Sequence, residues 1–133
     1  MQTEEHFKRG IQCYEDGDYN GAISDYTKSI RLDPNHVPAW RNRGLVQSKK
    51  GKFDKATADL DEAIRIESNT ASSWFLRGII SREKGECEKA IDDFGEAIRF
   101  DSSNADAFVI RGAIRDRREN GIKFLKILNG HFA

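Results

Sequence analysis

Four arginines, Arg9, Arg43, Arg77 and Arg111, recur every 34 residues, and each is followed by a glycine. Three aspartates, Asp25, Asp59 and Asp93, repeat with the same spacing. Guanidinium and carboxylate groups in matched columns can form charge-assisted, bidentate hydrogen bonds across a seam between helices. A ladder of ion pairs is therefore predicted, with two registers open. Either Arg43, Arg77 and Arg111 reach back to Asp25, Asp59 and Asp93, leaving Arg9 over, or each arginine pairs forward within its own unit, leaving Arg111 over.

Catalytic chemistry finds little support. His6, His36 and His131 stand far apart in sequence, and there is no HExxH, GxSxG or glycine-rich phosphate loop. No enzyme activity and no cofactor are expected. Cys13 and Cys87 lack CxxC spacing and neighbouring histidines, so both read as reduced, packed thiols rather than a metal site or a bridge. Lys plus Arg equal Asp plus Glu at 22 each, so no net field draws nucleic acid or an anionic membrane. The basic cluster Arg111, Arg115, Arg117 and Arg118 is interrupted by Asp116 and followed by Glu119, as on a solvated helix face. The opening MQTEEHFKRG has no apolar signal core, and no stretch approaches the roughly 18 apolar residues a span needs. A cytoplasmic chain, with a nuclear one possible, is the expectation.

The columns require helices to position them. Around each Arg-Gly pair the same register holds His6, Trp40, Trp74 and Phe108; Ala22, Ala56 and Ala90; and Tyr26, Leu60 and Phe94. Within each unit two segments of helical periodicity flank Gly17, Gly51 or Gly85, and LDPN, IESN and FDSSN separate the units. Gly in the first helix and Ala in the second are small because two helices approach closely there, although glycine costs about 1 kcal/mol of helix propensity. A hairpin of this kind cannot bury its apolar face alone, but a stack of hairpins can.

This 34-residue pattern of aromatic, Gly, Ala, aromatic or Leu, and small residue resembles the tetratricopeptide repeat (TPR). The resemblance covers residues 3–36, 37–70 and 71–104 as full repeats and 105–119 as a partial fourth, with 120–133 as an irregular C-terminal segment of a single domain. It implies an all-α superhelix of helical hairpins, an α-solenoid, and a scaffold or adaptor that binds a peptide or amphipathic helix of another protein in its concave groove. First-helix positions that line such grooves fall here on Phe7, Ile11, Arg41, Asn42, Leu45, Lys49, Phe75, Leu76, Ile79, Arg82 and Val109. Tyr14 and Glu15 occupy further positions of the same face.

Some members hold chaperone C-terminal tails with a clamp of Lys, Asn and Arg side chains. Here Phe7, Ile11, Ser72 and Leu76 stand at four of the five clamp positions, and only Asn42 matches. A co-chaperone-like adaptor is the alternative that this composition disfavours. The tail is the other departure. Glu119 replaces the expected loop glycine, Asn120 and Gly121 suggest a turn, and IKFLKILNGHFA is apolar around most of its circumference. It reads as a short helix on the last repeat, as a homo-oligomer or groove-filling element through residues 122–132, or as a truncation or splice end.

Overall fold

The structure, a computed structural model, describes residues 2–128, and the side chains of residues 2–117. Seven helices follow one another in the described residues: α1 (Thr3–Glu15), α2 (Tyr19–Leu32), α3 (Val37–Lys49), α4 (Phe53–Ile66), α5 (Ala71–Glu83), α6 (Cys87–Phe100) and α7 (Ala105–Leu128). Pairs α1–α2, α3–α4 and α5–α6 are antiparallel hairpins. Each even helix also packs on the odd helix that follows it. The array is the all-α superhelix of three hairpins and an extra helix that the resemblance implies.

Local chemistry closes each hairpin. Gly17, Gly51 and Gly85 adopt φ of 80°, 77° and 80°, the left-handed region that lets a helix end with its last carbonyls satisfied. In the first hairpin Asp18 N–H donates to the Cys13 carbonyl at 2.8 Å and Gly17 N–H to that of Tyr14 at 3.0 Å. The same pair of bonds recurs around Gly51 and Gly85. Gly51→Ala is therefore expected to lower stability by about 1–2 kcal/mol, read as an earlier midpoint in urea with an unchanged slope. At the equivalent position of the fourth unit stands Glu119, and α7 does not turn. It runs on through Asn120 and Gly121, where the sequence suggests a turn, to Leu128. Residues 129–133 and the side chains of the proposed self-association segment 122–132 lie outside the described residues.

Between hairpins, Asp33 accepts the Asn35 N–H at 3.1 Å, and the His36 ring accepts the Ala39 N–H at 3.2 Å to cap α3. Asn104 caps α7 through the Ala107 N–H at 3.0 Å. The indoles of Trp40 and Trp74 each donate to a turn carbonyl, those of Pro34 and Ser68, at 2.8 Å. The core is a row of tight crossings. Tyr26, Leu60 and Phe94 are fully buried opposite Gly10, Gly44 and Gly78. A Cβ on Gly78 would stand 2.7 Å from Phe94 Cε1, so only glycine fits.

Candidate functional site

The arginine ladder forms in the forward register. Arg43 donates to both oxygens of Asp59, Nε at 3.0 Å and Nη2 at 2.7 Å, and Arg77 does the same to Asp93 at 3.0 and 2.8 Å. A third nitrogen reaches the preceding repeat, from Arg43 to the Thr27 hydroxyl at 3.1 Å and from Arg77 to Asp61 at 3.0 Å. Each guanidinium also lies over the tryptophan three residues before it, at 5.0 Å for Trp40 and 4.9 Å for Trp74. Burial pushes the Asp93 carboxyl up while Arg77 pulls it back. Arg77 is held more firmly protonated by Asp93. The first rung is looser, with Arg9 Nε 4.0 Å from Asp25 and the His6 ring 3.5 Å from the same carboxylate. These groups clamp neighbouring helices and repeats together. Their geometry is that of structure, not of a ligand site.

The odd-numbered helices carry the predicted groove residues, and the structure divides them. Ile11 and Leu45, with Tyr14, Glu15, Tyr26, Asn42 and Val46, line a pocket of about 260 Å³ between the first two repeats. Phe7, half-buried like Ile11 and Leu45, lies against Tyr26 and His36, with ring centroids 5.8 and 4.9 Å away. Phe75 packs on Phe94 at 5.6 Å, and Ile79 joins the same core cluster while Leu76 joins that of Leu60 and Ile80. These three are half-buried, as Ile11 and Leu45 are, so the apolar stripe is only partly open along its length. Lys49 is exposed, Arg82 lies 3.4 Å from Glu83, and Val109 is 70% exposed on α7.

One feature of this face escapes a first-helix pattern. Tyr26 enters the pocket from α2, its hydroxyl made less acidic by burial and partly restored by a hydrogen bond to the Asn42 side chain. The only hint in sequence is a phenol in a column that otherwise holds Leu60 and Phe94. Arg41 is half-buried, and burial depresses its guanidinium against the opposing pull of Glu67. Cys13 is half-buried beside Asp25, as a packed thiol should be, but Cys87 is exposed at the start of α6. No cluster with metal-ligand geometry occurs among the described residues. No helix in them is long and apolar enough to cross a membrane.

The sequence matches the family model described as TPR repeat over residues 10–51 and that described as tetratricopeptide repeat over residues 43–107. No curated protein is significantly similar to it in sequence. The first TPR of Spaghetti (RPAP3) bound to the HSP90 peptide SRMEEVD is similar in fold, with a TM-score of 0.86 over 89% of this chain and 96% of that one at 21% identity. For the Arabidopsis OM64 TPR domain the TM-score is 0.84 over 86% and 95% of the two chains at 23% identity. For the second TPR domain of human RPAP3 in complex with the HSP70 peptide SGPTIEEVD it is 0.82 over 86% and 96% at 25% identity.

Proposed function

Because the chain belongs to the tetratricopeptide-repeat family, a family of typically non-catalytic protein–protein interaction modules, we propose that the face lined by α1, α3, α5 and α7 binds a segment of another protein. An apolar side chain of that segment is seated between Ile11, Tyr14 and Leu45. The pocket between the first two repeats carries this reading: its lining is mostly apolar, and Asn42, Glu15 and Tyr26 add polar groups. Arg41, set on the same helix as Asn42 and Leu45, suits an acidic residue next to the anchor.

The chaperone tails held by the structural neighbours end in EEVD. Such a tail would meet Phe7, Ile11, Ser72 and Leu76 where a clamp needs donors, so an apolar anchor outranks a terminal carboxylate as the main contact. Peptides selected from a displayed random library against the whole chain should share an apolar anchor. Leu45→Ser and Ile11→Ser should each weaken them by about tenfold, equivalent to about 1.4 kcal/mol. Retention of full affinity by both variants, or tight binding of SRMEEVD, would sink the reading.

A further inference from the structure

We propose that Tyr26 sets the specificity of the groove, and that the anchor it selects is a tyrosine of the partner protein, apolar over its ring and polar only at its tip. The inference rests on the reading that the pocket between the first two repeats seats an anchor side chain. At the two later junctions the columns of Tyr26 and Asn42 meet as apolar residues. Leu60 shares one core cluster with Leu76, and Phe94 shares another with Ile110. The first junction instead sets a phenol against an amide, Tyr26 against Asn42, and there the pocket of about 260 Å³ opens.

The hydroxyl is not what the helix crossing needs. A Cβ on Gly10 would stand 2.5 Å from Tyr26 Cε1 and one on Gly78 2.7 Å from Phe94 Cε1, so the ring packs over its glycine in the same way with or without the hydroxyl. What the hydroxyl adds is polar. Its bond to Asn42 counters the effect of burial on the phenol, as a bond does in which the amide N–H donates and the phenol oxygen accepts. The Tyr26 proton and the Asn42 Oδ1 are then left without partners among the described residues. An O–H donor next to a carbonyl acceptor, on a mostly apolar lining, calls for a group that accepts from one and donates to the other.

Tyrosine joins such a tip to a ring that fits beside Ile11, Leu45 and Val46. Tyr14, stacked on Tyr19 with ring centroids 5.7 Å apart, supplies a fixed aromatic wall for it. The other side chains fit less well. Phe and Leu fill the space but leave the donor and the acceptor unpaired, the mismatch that a site of this kind rejects most strongly. Ser and Thr have no apolar body, Gln loses more rotamer freedom, and imidazole splits the two roles between separate nitrogens. A carboxylate tip accepts but cannot donate, and it would face Glu15.

Peptides from a displayed random library, selected in parallel against the whole parent chain and Tyr26→Phe, are the test. The strongest parent binder is then made as a fluorescein-labelled peptide with Tyr, Phe or Leu at its anchor and titrated by fluorescence anisotropy. The parent should enrich tyrosine and bind the Tyr peptide about fivefold or more tighter than its Phe analogue, the worth of about one hydrogen bond. Tyr26→Phe and Asn42→Leu should each remove that preference, the first with a thermal midpoint close to that of the parent. Equal binding of the Tyr and Phe peptides by the parent, or a preference that survives Tyr26→Phe, overturns the inference. So does equal weakening of both peptides by Tyr26→Phe, since the hydroxyl then meets the main chain of the ligand. Binding that withstands both Leu45→Ser and Ile11→Ser refutes the anchor pocket itself, whereas loss with those variants and no preference for tyrosine refutes this inference alone.

Discussion

Phe94→Ala is expected to lower the unfolding free energy by about 3–5 kcal/mol, the largest effect of any single truncation of this ring column. Phe94 is fully buried at the α5–α6 crossing and packs on Phe75, Ile110 and Ile114, so the void cannot be filled from solvent or by a mobile loop. The more discriminating measurement is a double-mutant cycle with Gly78→Ala. In the parent, the new methyl would stand 2.7 and 2.9 Å from Phe94 Cε1 and Cδ1, and overpacking of that kind costs about 1–3 kcal/mol, partly offset by the helix propensity of alanine. With the ring removed the clash disappears and only the propensity gain of about 1 kcal/mol remains. Gly78→Ala should therefore destabilise the parent and stabilise Phe94→Ala. Additive effects in urea titrations would mean that the close approach of the two helices is not what selects glycine.

Arg77→Met is the second large effect, at about 2–3 kcal/mol near neutral pH. It leaves the Asp93 carboxylate, its side chain 6% exposed, without its cation, and removes the link to Asp61 in the preceding repeat. Burial already pushes the Asp93 carboxyl up, and without Arg77 nothing restrains it. A carboxyl whose folded pKa lies above its unfolded value disfavours the fold once pH rises through that interval, and the penalty vanishes when both states are protonated. The loss caused by Arg77→Met should thus be smaller near pH 4 than near pH 7, and Asp93→Asn should recover part of it. A loss that is equal at both pH values, or made worse by Asp93→Asn, would contradict the rung. Arg111→Met, at a position with no carboxylate partner among the described residues, should change stability by less than about 0.5 kcal/mol.

The 34-residue register of Gly10, Gly44, Gly78 and Gly112 determined by itself the hairpin unit, the number of full repeats and the helix faces that meet. It did so because a repeated unit must bury the same face each time, and because Gly17, Gly51 and Gly85 supply the left-handed turn that L side chains resist. The existence of the arginine ladder was legible for the same reason. Its register was not, because Arg43 has an aspartate column on either side, and only the packing of α3 on α4 brings Asp59, rather than Asp25, within 2.7 Å.

Depth was also decided in three dimensions. Helical phase places Phe75, Leu76 and Ile79 on the groove face, but it carries no information on how far the neighbouring helix covers them, and all three are drawn half into the core. Tyr26 joins the pocket from α2, a helix that supplies none of the predicted groove positions, because its long phenol reaches across beside Gly10. At the C-terminal end the sequence showed that the turn glycine was missing at Glu119. Only the fold showed the consequence: the helix continues past Asn120 and Gly121 to Leu128, and a Cβ on Gly112 would meet nothing within 4 Å among the described residues.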